Sequence, residues 1–174
     1  RFISLVLVLS LIIGVILFIQ NRGKSNFLGL EGDPTQLGPV SDAIAGTVGD
    51  KAIDFVLLDY ANELVSLSDY SGRPIVLNFW ASWCPFCTNE LPDFQKVYAD
   101  QIGQGSDIVF IGVNRGESQQ VAQLFTDEMN LTFPLLVNRA DDVSRAYNLR
   151  AMPSTYFIDR SGVIVDIKRG PMEA

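Results

Sequence analysis

The segment PIVLNFWASWCPFC, residues 74–87, joins an almost continuous apolar run to Cys84 and Cys87, and the chain has no other cysteine. A run such as Ile75–Trp80 suits a central strand covered on both faces, since a strand with one wet face would alternate. The following CPFCTNELPDFQKVYAD reads as a helix through about Ile102. Pro85 fits its first turn, where backbone N–H groups have no intrahelical partner.

The rest of the chain continues the alternation. DFVLLDY and LVSLSDY predict a short hairpin around Ala61, Asn62 and Glu63. A second apolar strand is expected at 108–113, a helix near 117–129, a short strand in TFPLLV and a short helix in ADDVSRAYNL entered through Asp141 and Asp142. STYFIDRSGVIVDIKRG then predicts two strands around the turn Asp159-Arg160-Ser161-Gly162. Strands alternating with helices imply parallel crossovers, hence an α/β domain with a central sheet flanked by helices.

Ahead of this domain, Phe2 to Ile19 carries no charge for 18 residues, just enough to span a bilayer. A cleaved signal peptide is the competing reading, but Gln20-Asn21-Arg22-Gly23-Lys24 follows instead of a small-residue cleavage site. The expected organisation is an anchor at 1–20, a Gly- and Pro-rich linker at 21–46 and one domain at 47–174. Arg1, Arg22 and Lys24 all precede the first acid, Glu31, so the remainder sets 10 basic against 20 acidic residues. Nucleic acid is a poor partner for such a surface, because binding phosphates rests on clustered Lys and Arg. The chain has no histidine, which removes the commonest general base and the commonest transition-metal ligand.

Three uses of the cysteines can be weighed. As a clasp they are poor, since closing a loop of two intervening residues gains little entropy. As metal ligands they are too few, because structural zinc and iron-sulfur sites want about four Cys or His ligands and either would need a second chain. As a redox couple they are well placed: a strand delivers Cys84 to a helix N-terminus, where free N–H groups and the helix dipole favour a thiolate. Cys84 at the exposed end would attack, and Cys87, turned toward the buried side, would resolve the mixed disulfide.

VLNFWASWCPFCTNELP resembles the active-site segment of thioredoxin-like proteins, and specifically of the TlpA/ResA group of membrane-anchored thiol-disulfide oxidoreductases. The resemblance covers roughly residues 47–172 and includes SLSDYSGRPIVLNFW, Pro92 in the active-site helix, and YNLRAMPSTYFIDRSGVI downstream. It implies a thioredoxin-like fold in which Pro153, after Met152, forms a cis peptide facing the cysteines. The backbone of Met152 would then be open to a substrate strand. The resemblance also implies a final helix beyond RGPMEA.

Ordinary thioredoxins bury an Asp in the strand before the cysteines, where this chain has Asn78. The TlpA/ResA group shares that difference and uses a Glu shortly after the second cysteine, a position that Glu90 matches. Two readings of Glu90 stand: it moves a proton during exchange, which needs apolar neighbours to raise its pKa, or it complements the helix dipole from solvent. Trp83, Pro85, Phe86 and Met152 are the candidate substrate contacts, with Trp83 and Phe86 forming an apolar collar and Trp80 filling the core. Strong oxidants of this fold often carry a His between the cysteines to stabilise the thiolate. Phe86 offers no such help, which favours reduction.

The expected function is a tethered thiol-disulfide oxidoreductase that needs no cofactor beyond the Cys84–Cys87 disulfide and no metal. The resemblance implies a single-pass cell-membrane protein with its domain on the extracytoplasmic side, although the flanking charges alone point the other way. It implies disulfide-containing protein substrates such as apocytochrome c, and a transmembrane thiol carrier as electron donor. A peroxiredoxin-like peroxidase is the alternative, against which Ala81 stands where peroxiredoxins place a Thr. A redox-inert or copper-binding module is a third, but such chaperones usually add a His. GVNRGESQQ, residues 112–120, lacks the glycine spacing of a phosphate loop. Lys168-Arg169 reads as a solvated strand end.

Overall fold

The computed structural model describes residues 45–172. The expected anchor and nearly all of the expected linker lie outside the described residues, within which no helix is long and apolar enough to cross a membrane. The strands are β1 (Val56–Asp59), β2 (Leu64–Ser66), β3 (Ile75–Trp80), β4 (Val109–Arg115), β5 (Leu135–Asn138), β6 (Ser154–Ile158) and β7 (Ile164–Arg169). The helices are α1 (Pro85–Gly103), α2 (Gln119–Glu128) and α3 (Asp142–Ala146).

The strands form one mixed sheet in the order β2-β1-β5-β4-β3-β6-β7. Strand β4 runs parallel to both β3 and β5, while every other neighbouring pair is antiparallel. Parallel neighbours need long crossovers, and α1 and α2 supply them. This is the thioredoxin-like sheet that the sequence led us to expect, including the hairpin at its start. One expected strand is shorter than the apolar pattern suggested. β2 ends at Ser66, and Leu67–Tyr70 closes into a 3-10 turn. Two carboxylates cause this: Asp69 accepts from the Ser66 N–H at 2.8 Å, and Asp54 accepts from the Ser68 N–H at 2.9 Å. Carboxylates that capture backbone donors in this way compete with ladder pairing.

Alternation along β3 builds two cores from one strand. Leu77 and Phe79 join Phe55, Ile111, Tyr147 and Tyr156 on one face. Trp80 joins Cys84, Cys87, Leu91, Phe94 and Phe133 on the other, with Val76 packed against them. Asn78 lies between Val76 and Trp80 in that alternation, so it points under α1 although it is polar. Gly112 in β4 is opposite Asn78, and a Cβ there would meet Leu135 Cδ2 and Phe133 Cε2 at 2.8 Å. Only a residue without a side chain lets the aromatic layer close over this strand.

Candidate active site

The C-terminal edge of the parallel strands gathers the site. β3 ends at Trp80, and Cys84 follows as the N-cap residue of α1, its sulfur accepting from the Cys87 N–H at 3.2 Å. The two cysteines form a disulfide with a Cα–Cα separation of 5.2 Å. Cys87 is wholly buried, and Cys84 is the outer of the two at 5% exposed. Around them Pro85 is exposed at the helix start, and Trp83 and Phe86 stand 61% and 60% exposed. Two large apolar side chains are thus displayed beside the disulfide. Trp80 is fully buried and stacks on Phe125, the core role expected of it.

Residue Ser154 pairs with Phe79, so Pro153 stands beside the turn that leads to Cys84. The Met152–Pro153 peptide is cis, as the resemblance implies. Pro153 is buried, and Met152 packs against the core cluster that contains both cysteines. Among the described residues, the backbone N–H and C=O of Met152 make no hydrogen bond within the protein.

Glu90 lies on the buried side of α1. It is only 5% exposed, so a solvated dipole-complementing role does not fit. Its Oε1 accepts from Asn78 Nδ2 at 3.0 Å and its Oε2 from the Met172 N–H at 3.0 Å. The carboxyl also lines a largely apolar groove of about 600 Å³ whose walls include Val76, Phe94, Phe110 and Phe157. Burial pushes its pKa above the ordinary value, while the Met172 and Asn78 bonds and the charge of Lys168 pull the other way without cancelling it. A buried carboxyl that keeps its proton to higher pH can take up and return one near the thiols.

Several contacts at this edge were not marked by the sequence. Asn78 also donates to Thr155 Oγ1 at 3.0 Å, tying β6 to the strand that leads to the cysteines. Glu117 accepts from the Ser82 N–H at 2.9 Å and from its hydroxyl at 2.5 Å, and Asn114 Nδ2 donates to the same carboxylate at 2.6 Å. Asp141 sits at the N-terminus of α3, as expected, yet caps nothing there. Its φ is 58°, and its carboxylate faces Arg115 at 2.8 and 3.0 Å. The register of β3 against β4, which sets Trp80 opposite Asn114, brings these loops together.

The AhpC/TSA family model matches residues 48–167. The chain belongs to the AhpC/TSA family. Within it, the chain is similar to the thiol-disulfide oxidoreductase ResA of Geobacillus kaustophilus, 38% identical over 76% of this chain and 75% of that protein. It is also similar to the thioredoxin-like protein YneN of Bacillus subtilis, 38% identical over 71% and 72% of the two chains. Among solved structures, a putative thiol:disulfide interchange protein DsbE from Chlorobium tepidum superposes with a TM-score of 0.68 at 28% identity, covering 74% of this chain and 89% of that one. StoA from Bacillus subtilis superposes with a TM-score of 0.61 at 29% identity, covering 70% and 90%. This AhpC/TSA member is thus a thiol-disulfide oxidoreductase, and its family implies disulfide-containing protein substrates.

Proposed function

We propose that this enzyme is a membrane-tethered reductase of disulfides in partner proteins outside the cytoplasmic membrane, with apocytochrome c as its substrate. The Cys84 thiolate attacks one sulfur of the partner disulfide, forming a mixed disulfide and releasing the partner's other sulfur as a thiolate. Cys87 then attacks Cys84, releasing the second partner sulfur and leaving the Cys84–Cys87 disulfide. Two electrons pass to the partner, and a transmembrane thiol carrier restores them.

The observation that carries this reading is the placing of Cys84 as the N-cap of α1, the outer sulfur of a pair whose inner member is wholly buried. A helix N-terminus stabilises the attacking thiolate, and burial of Cys87 keeps the resolving thiol for the intramolecular step. Glu90 acts as the proton carrier for Cys87, supported by its burial and raised pKa. Trp83, Pro85 and Phe86 receive the partner's apolar surface, and the backbone of Met152 beside Pro153, unpaired among the described residues, receives its strand. Phe86 between the cysteines supports net reduction. The extracytoplasmic placing, the tether, the thiol carrier and apocytochrome c rest on the TlpA/ResA resemblance and on the apolar segment Phe2 to Ile19.

The full chain in detergent, with dithiothreitol as donor, should reduce an oxidised Cys-x-x-Cys-His peptide, and Cys84→Ala should abolish this. Cys87→Ala should hold its partner as a mixed disulfide on Cys84, and apocytochrome c should be the captured protein. Turnover of hydrogen peroxide without disulfide reduction would establish a peroxidase instead. External protease should digest the domain in cells with an intact membrane; full protection would place it inside.

A further inference from the structure

Met152, packed against the cluster that holds both cysteines, has no backbone hydrogen bond of its own among the described residues, so only its chain neighbours and its side-chain contacts place it. One of these is unusual for a position next to a substrate strand. Arg115, the last residue of β4, reaches Met152 Sδ with Nη1 at 3.7 Å. The same guanidinium is held from its other edge by Asp141, Nε to Oδ1 at 2.8 Å and Nη2 to Oδ2 at 3.0 Å. Both partners are half-buried, at 32% and 27% side-chain exposure. A fork-on-fork pair fixes the plane of the guanidinium as well as its position, which a lysine could not do.

The other half of the geometry is two residues further along. Glu117 grips the N–H and hydroxyl of Ser82, in the turn that carries Trp83 and Cys84. Gly116 between them has a φ of 73°, a conformation that suits glycine, and its N–H is fixed on the Asn138 carbonyl at 3.0 Å. A single turn therefore touches the cysteine turn through Glu117 and Met152 through Arg115.

We propose that Arg115, oriented by Asp141, is a positioning residue that holds Met152 at a set distance from Cys84 and so determines how well an extended disulfide-bearing segment is bound. This rests on the reading of Met152 as the landing place of the substrate strand. Asp141 already neutralises the guanidinium, so the residue acts through geometry and not as a receptor for acidic substrates. A small disulfide that needs no strand pairing is indifferent to it.

The test uses the reduced full chain against two oxidants: an oxidised Cys-x-x-Cys peptide of about ten residues, and 5,5′-dithiobis(2-nitrobenzoate). For Arg115→Met the expected result is a KM for the peptide raised about fivefold with kcat nearly unchanged, and an unaltered rate with the small disulfide. Asp141→Asn should reproduce the effect, and Arg115→Lys, which keeps the charge but not the planar fork, should leave the peptide KM raised. The KM effect should be the same for acidic and basic peptides. The proposal fails if Arg115→Met leaves the peptide KM within about twofold of wild type, since a change that small lies within the noise of a lost surface contact. It also fails if both oxidants slow together, which marks a general loosening of the fold, or if Arg115→Lys binds the peptide as well as wild type does. Wild-type protein that reacts with neither oxidant would instead overturn the assignment of the site.

Discussion

The side-chain amide of Asn78 donates to Glu90 Oε1 at 3.0 Å, joining the strand that leads to the cysteines with the helix that follows them. Both residues are buried, and the same amide donates to Thr155. The carboxyl is thus oriented by a group that does not titrate, while burial sets its proton affinity.

That arrangement predicts a pH signature. Glu90 holds its proton to higher pH in the folded protein than its ordinary value of 4.5. Between those two values the folded state binds more protons than the unfolded chain. The stability this contributes is complete below the ordinary value and is lost as pH rises through the folded one. Urea denaturation of the oxidised protein should therefore show wild type losing stability relative to Glu90→Gln as pH rises from the ordinary value of 4.5. Alkylation of the reduced protein should show a pH profile that Glu90→Gln simplifies; superimposable profiles would remove Glu90 from proton transfer.

Asn78→Asp would set a second carboxyl against Glu90 at the same buried place. Two acids there cannot both ionise cheaply, and the pair would titrate in two linked steps. At pH 8 the variant should lose about 3 kcal/mol of stability, and clearly less at pH 5 where a proton can be shared. Equal losses at both pH values in denaturant titrations would show that the carboxyls do not interact.

Trp83→Ala and Phe86→Ala separate binding from stability. With more than half of each side chain in solvent, either change should leave stability within about 0.5 kcal/mol of wild type. The rate with protein disulfides should fall about tenfold for the pair of changes, as expected when apolar anchors of an interface are removed. Insulin reduction assays read this directly. Retained activity would move the docking surface elsewhere.

Gly112→Ala tests the packing beneath the site. Its Cβ would press on Leu135 and Phe133 at 2.8 Å and on Trp80 Nε1 at 3.2 Å. The expected loss is about 1–3 kcal/mol, with a lower melting temperature, because an added methyl in a filled core forces side chains off their rotamers. A melting temperature equal to that of wild type would show that the layer can yield.

Much of the site is legible in the sequence. The run before Cys84 announced a buried strand, Pro85 announced a helix start, and the cysteine spacing suited a redox couple better than a clasp or a metal site. Met152-Pro153 was recognisable by resemblance, and the cis peptide is present. The short 3-10 turn after Ser66 was not legible, because its apolar and polar order also fits a strand and the decision belonged to Asp54, twelve residues away from Ser66.

Apolar period determined which residues are strand and which helix, and placed Asn78 on the same side of β3 as Trp80. It could not say what lies across from Asn78. A period records which way a side chain points along its own element, whereas its neighbour depends on the order in which strands assemble. Sheet order and register decided that Asn78 meets Glu90 and Thr155 and that Glu117 meets Ser82. The same assembly turned Asp141 away from its own helix and onto Arg115 beside Met152, since a half-buried cation must find its carboxylate wherever the fold brings one.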